Sequence, residues 1–214
     1  GSSFLAELRD GWSAFVENTW MWVLVLWIAL YFLVTYAPFF VLGPYIAKHS
    51  MGGAGTWGIV VTGEGIGALL GGLLGLRLRA KRPLVAVGLL FLPTALQSVL
   101  LAFHAPVELL APAAALAGFA FSCGSVVWDT VVQTMIAPDK LARVAAYGWM
   151  GAMVFLPAGY ALAGPISSLV GMRAYLLFGA GWVIASTLVV VRLRSVRELT
   201  LDQAVETTPL AAPA

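Results

Sequence analysis

Two carboxylates stand alone inside long apolar runs of this sequence, and they set the chemistry to be considered. Glu64 has no Lys or Arg within a dozen residues on either side. In hydrocarbon, a carboxylate without a cation tends to take a proton, or it needs a partner from another segment. Proton exchange is therefore one chemistry open to it, and a neutral hydrogen-bonded Glu is the other. Asp129 belongs to a polar series, Ser122, Ser125, Asp129 and Gln133. At 100° per residue these four fall within about 80° of one helix face. A polar stripe in an apolar run faces protein or a water-filled cavity. Both a cavity or gate lining and a buried structural network satisfy that rule. Tyr31, Thr35 and Tyr36 mix aromatic and polar groups just before Pro38, which suits either a binding surface or a kink packed on its neighbours. Gln97 and Ser98 are expected to hydrogen-bond between helices. The single cysteine, Cys123, offers neither a disulfide framework nor metal-ligand spacing. No cofactor is implied, and no nucleotide-binding loop is present.

The elements that must position these groups follow from composition. Of 214 residues, 61% are hydrophobic and 10% are charged, and the mean hydropathy is +0.93. Soluble domains carry roughly a quarter charged residues, so lipid must cover this chain. The net charge of +2 gives no basic field for nucleic acid. Apolar runs fall at 20–42, 56–76, 84–103, 109–136, 144–170 and 175–191. About 20 helical residues cross roughly 30 Å of hydrocarbon. Helices satisfy every backbone group internally, and these runs lack the alternation of a barrel. The expected architecture is an all-α integral membrane bundle of six transmembrane helices. The sixth, with Ser186 and Thr187 as its polar groups after Tyr175, suits a lipid-facing outer position.

Ten of the twelve Lys and Arg residues fall on one side: Arg9, Arg77, Arg79, Lys81, Arg82, Lys140, Arg143, Arg192, Arg194 and Arg197. Lys48 and Arg173 fall on the other. The bias places both termini in the cytoplasm, with the chain multi-pass in the plasma (cell inner) membrane. Residues 1–18 read as a cytoplasmic amphipathic segment, with Phe4, Leu8, Trp12 and Phe15 at helical spacing. Residues 19–195 hold the helical bundle. Residues 196–214 turn polar and Pro/Ala-rich and read as a disordered cytoplasmic tail.

Gly63, Gly67, Gly71 and Gly75 recur every fourth residue in the second run. Such a stripe lets two helix backbones approach closely in lipid, and Glu64 falls within its arc.

Three segments carry a family resemblance. Gly71-Gly72-Leu73-Leu74-Gly75-Leu76-Arg77-Leu78-Arg79-Ala80-Lys81-Arg82-Pro83 resembles the Gly-rich, basic cytoplasmic loop of the major facilitator superfamily, without the Asp usual there. Trp128-Asp129-Thr130-Val131-Val132-Gln133, followed by Pro138 and Leu141-Ala142-Arg143-Val144, resembles the branch containing enterobactin exporters and secretion permeases. Phe4-Leu5-Ala6-Glu7-Leu8-Arg9-Asp10-Gly11 resembles that branch's connection between halves. Gly159 with Gly164-Pro165 is loosely similar to the antiporter Gly/Pro motif, with the spacing off by a residue.

The resemblance implies the carboxy-terminal half, itself a 3+3 inverted repeat, of a twelve-helix carrier. Such a carrier moves small organic molecules such as siderophores or drugs by alternating access around a midplane site. Its partners are then the bilayer, an amino-terminal six-helix half and a small-molecule substrate. Glu64, Tyr31, Thr35, Tyr36, Ser122, Ser125 and Gln133 fall to the substrate and proton pathway. Asp129 falls to a cytoplasmic gate with Arg77, Arg79 and Arg143. The glycine stripe packs across the boundary between halves, against a partner outside this chain. A complete six-span protein that dimerises stays open as another organisation. An intramembrane serine protease would need Gly-x-Ser-Gly and a His at membrane depth. The nearest run here is Ser122-Cys123-Gly124-Ser125, and no His lies in a span.

Overall fold

The computed structural model describes residues 11–13, 15–78 and 80–200. Their regular structure is helical. Six helices are long and apolar enough to cross a membrane: Thr19–Ser50, Ala54–Gly75, Pro83–Ala102, Val107–Met135, Pro138–Val170 and Met172–Val190. The first extends well past residue 42 because Tyr45, Lys48 and His49 stay helical where the chain leaves the apolar layer. The fifth starts before residue 144, with Pro138 in its first turn and Asp139 beside it. There the missing proline N–H costs nothing and the acid complements the helix dipole.

Alternate spans differ in kind. The second, fourth and sixth run unbroken. The first is interrupted by a π-helical turn at Phe32–Tyr36, just before Pro38. The third breaks at Phe91, between Pro83–Leu90 and Leu92–Ala102. The fifth breaks at Val154 and Phe155, between Pro138–Met153 and Leu156–Val170. The last two breaks carry the same tripeptide, Phe91-Leu92-Pro93 and Phe155-Leu156-Pro157. Proline has no N–H to donate, and its ring conflicts with the carbonyl four residues earlier, so the helix restarts there.

The buried apolar side chains form two clusters stacked along the spans. One, toward the basic side, gathers Met21, Leu24, Trp27, Leu84, Val87, Val127 and Val131. The other gathers Phe39, Leu42, Ile46, Val60, Leu101, Leu110 and Leu176. Between them in sequence on the first and third spans fall the buried polar residues Thr35, Gln97 and Ser98. The sixth span enters both clusters through Tyr175, Leu176, Ala180, Val183 and Val190. Its Ser186 hydroxyl accepts a 2.9 Å hydrogen bond from Trp27 Nε1. It packs one face into the core and leaves Phe178, Ile184, Leu188 and Val189 exposed on the other, as an outer helix does.

Both ends of the bundle are packed against it where they are described. Before the first span, the Trp12 and Phe15 rings pack on Tyr147 of the fifth span at 5.5 and 6.4 Å between centroids, so this segment docks on protein. After the sixth span, Val196 and Leu199 are buried in the basic-side core. Packed structure therefore continues past residue 195, where a disordered tail was expected to begin, because these two apolar side chains close the end of the bundle. Phe4, Leu8, Arg79 and residues 201–214 lie outside the described residues.

Candidate functional site at mid-depth

The glycine stripe forms the floor of the site. Its partner lies within the chain, on the fourth span. A Cβ on Gly63 would stand 2.9 Å from the Ala111 carbonyl oxygen. One on Gly67 would overlap the Ala115 carbonyl, and one on Gly71 the Phe119 carbonyl. At Gly75 it would meet Cys123 Cα at 3.2 Å. Each glycine meets the residue 48 positions later (63 and 111, 67 and 115, 71 and 119, 75 and 123), so the two helices run parallel in fixed register. From the other side Gly118 sits on the Glu64 backbone, where a Cβ would overlap the Glu64 carbonyl oxygen. The expectation that the stripe awaits a partner outside the chain is corrected: periodicity revealed the seam, but the choice of facing helix depends on tertiary register.

Glu64 leaves this seam toward the first span. Its Cγ lies 3.0 Å from where a Gly118 Cβ would be. Oε2 is buried and has no hydrogen-bond partner among the described residues. Tyr31 and Tyr36 both lie within electrostatic reach of the carboxylate. Tyr160 of the fifth span is in similar reach of Tyr36. The Thr94 hydroxyl donates 2.6 Å to the Phe91 carbonyl.

The π turn is what brings the two tyrosines together. Five residues of regular α-helix separate side chains by about 140°. A π turn closes its ladder five residues on rather than four, and it brings the Tyr31 and Tyr36 rings to 6.2 Å. Thr35 faces elsewhere, and its hydroxyl donates 3.1 Å to the Gly179 carbonyl of the sixth span. Here it acts as a packing tie and stands apart from the tyrosine face.

Around the tyrosines stands an aromatic wall whose centre is Phe121. Its ring lies 6.4 Å from both Tyr31 and Tyr36, nearly parallel to each, and 5.6 Å from Phe91. Tyr31 meets Phe91 edge-on at 4.8 Å, and Tyr36 meets Phe40 at 4.6 Å. Toward the basic side the same wall closes a cavity of about 50 Å³ lined by residues including Phe32, Phe91, Phe121, Ser125, Trp128 and Ala152. That volume is far below the several hundred Å³ of a small-molecule site. In this conformation the rings leave no room there for a small molecule.

The polar series of the fourth span separates in the structure. Ser125 lines the cavity and donates 3.1 Å to the Phe121 carbonyl. Ser122 lies against Gly72 of the second span. Gln133 is exposed. Asp129 has no cation within 4.0 Å among the described residues, whose ion pair is Arg197–Glu198 at 3.7 Å. The expected gate pairing of Asp129 with Arg77 or Arg143 is therefore not formed here. Arg143 instead donates 2.8 Å to the Asp139 carbonyl in its own helix, and Arg77 is exposed. Ser98 donates 3.0 Å to the Thr94 carbonyl of its own helix, and Gln97 Oε1 is buried without a partner. Neither makes the interhelical bond expected of it. No group of three or more His, Cys, Asp or Glu that could hold a metal occurs among the described residues.

Sequence reasoning missed Phe91, Phe121 and Tyr160. The repeated Phe-Leu-Pro was a usable signal for Phe91, since it marks both helix breaks at this depth. Nothing in the fourth run distinguishes Phe121 from its apolar neighbours.

No family model and no solved structure matches this chain. It is similar to the multidrug efflux pump Tap of Mycobacterium tuberculosis and of Mycobacterium bovis, with 27% identity over 159 residues in each case. The match covers 73% of this chain and 37% of the pump, so the chain corresponds to well under two thirds of these relatives.

Proposed function

We propose that this multi-pass membrane protein is the carboxy-terminal six-helix half of a secondary exporter of the major facilitator type. It works by alternating access in the plasma membrane, with its basic side and both termini in the cytoplasm. One observation carries the proposal. The second and fifth spans are only 22% and 17% buried within the chain, against 39–56% for the other four. Their open faces include glycines with no atom within 4 Å of a would-be Cβ: Gly55, Gly58 and Gly65 on the second span and Gly164 on the fifth. Lipid tails gain little from glycine faces, whereas a helix gains close approach. Two such faces on one bundle fit a second bundle docked against them. The partial match to the efflux pump supports the same view.

In this scheme Glu64 exchanges protons as the mid-depth site opens to alternate sides, and the interrupted first, third and fifth spans supply the movement. The test is reconstitution. The chain alone should show no saturable efflux or uptake of lipophilic substrates, and co-expression with the amino-terminal helices of its protein should restore it. Saturable transport by a demonstrated monomer of this chain would overturn the proposal. A homodimer would cover the same faces. Transport by the chain alone, eluting at twice its mass, would establish that organisation instead.

A further inference from the structure

The small cavity beside Phe121 lies where the three interrupted spans meet. Phe32 opens the π turn of the first span, Phe91 is the break of the third, and Ala152 stands just before the break of the fifth. All three line the same space of about 50 Å³, and the unbroken fourth span closes it with Gly124, Ser125 and Trp128. Native interiors hold few voids larger than a water molecule, and this one exceeds that size. Ser125 brings the one hydroxyl among the described lining residues, and that hydroxyl is already donated to the Phe121 carbonyl. Ordered water therefore gains little there.

Two glycines leave the space empty. Gly124 and Gly148 both line it, and neither is required by close packing. A Cβ on Gly124 would meet Leu90 Cβ at 3.6 Å and Phe91 Cε2 at 4.0 Å. One on Gly148 would meet Met21 Cε and Val25 Cγ2 at 3.9 Å. These are ordinary van der Waals distances. Gly151 on the same helix is different, since a Cβ there would stand 2.7 Å from Val25 Cγ1. Gly124 and Gly148 both lie inside α-helices, where glycine is markedly less favourable than alanine. Alanine fits at both positions and would stabilise this conformation, yet the chain carries glycine at each.

We propose that the cavity is free volume reserved for bending at the three breaks. As the bundle changes conformation, side chains of the broken spans swing into it, and methyl groups at positions 124 and 148 would occupy the space they need. Packed cores switch between discrete arrangements and do not deform continuously, so a broken helix moves only where its neighbours leave room. The proposal rests on the exporter function in supposing that the bundle moves, but the movement can be read without transport.

The test combines stability with amide hydrogen exchange. In purified full-length protein, Gly124→Ala and Gly148→Ala should each raise Tm by about 2 °C. Exchange just after Phe91 and just after Phe155 should slow about tenfold in the double variant, while exchange around Gly63 and Ala111 in the seam stays unchanged. Gly124→Ala alone should slow exchange after Phe155, on a span to which it does not belong, and Gly148→Ala alone should slow it after Phe91. A purely local effect of either alanine would not do this. A fall in Tm in either single variant would show that the space is not free and overturn the proposal. So would a more stable double variant with unchanged exchange at both breaks, because the cavity would then be a packing defect. In the assembled transporter the double variant should transport about tenfold more slowly despite its higher Tm. Slowed exchange at the breaks of a protein that exports nothing leaves this proposal standing and removes the exporter function. Export at the unmodified rate by the stabilised double variant does the reverse.

Discussion

The seam between the second and fourth spans and the chamber beside it lie at the same depth and are built from opposite materials. The seam is backbone against backbone. Gly67 and Gly71 leave no space for even one added carbon against the Ala115 and Phe119 carbonyls, and no rotamer can relieve a clash between main chains. The chamber is side chain against side chain. Tyr31, Tyr36, Phe91 and Phe121 meet at ring separations of 4.8–6.4 Å, around helices interrupted at Phe32–Tyr36 and Phe91. Aromatic pairs of this kind contribute about 0.5–1.5 kcal/mol each beyond area burial, and they can exchange partners. In lipid no hydrophobic force drives helices together, so fit decides. The difference teaches where such a bundle can be rigid and where it can change.

The largest effect should come from breaking the seam. Gly67→Leu or Gly71→Leu has no accommodating movement short of helix separation. Overpacking typically costs about 1–3 kcal/mol, and the backbone contact here puts these variants at or beyond the top of that range. Thermal unfolding in detergent should show loss of the cooperative transition or a large fall in Tm. Gly65→Leu is the control, since nothing lies within 4 Å of its would-be Cβ. It should leave the isolated chain's stability within about 0.5 kcal/mol while abolishing activity of the assembled transporter. Full activity in that variant would remove the second span from the proposed interface.

Next in size is Glu64→Gln. In the assembled transporter, concentrative transport should lose its dependence on a pH gradient, while downhill exchange survives. Concentration driven by the gradient at the unmodified rate would place the coupling group elsewhere. Tyr36→Phe sharpens the chamber side of the comparison. It keeps the ring contacts and removes the hydroxyl, so stability should change by less than about 1 kcal/mol, whereas Tyr36→Ala should cost more through lost aromatic contacts. Equal losses in the two variants would assign the contribution to the hydroxyl.

The smallest effect belongs to Asp129→Asn. With no cation within 4.0 Å among the described residues, its removal should shift stability by no more than about 0.5 kcal/mol. A latch with Arg77 or Arg143 formed in another state would instead appear as altered distances between spin labels at the basic ends of the spans. Unchanged distance distributions would leave Asp129 without a gating role.

Six spans were legible because each apolar run is long and bounded by polar residues. Their ends were less so, since Tyr45, Lys48 and Asp139 continue helices in regions where hydropathy has already fallen. The glycine stripe showed that a close contact exists, yet its partner had to come from a register of 48 residues that no local pattern encodes. Glu64 stood out by being alone. The pairing of Tyr31 with Tyr36 did not, because on an ideal helix they point apart and only the π turn unites them. Thr35 and Gln133 were polar at the right depth but point to the sixth span and to the exposed surface.

One small feature bears on how the protein is made. Gly171 is the sole residue between the fifth and sixth spans, with φ at +86°, a conformation that L side chains resist. A link so short ties the membrane entry of the two helices together and favours their insertion as a hairpin. A substitution such as Gly171→Val would then act during biogenesis, lowering the yield of correctly threaded chains more than it loosens those already in place.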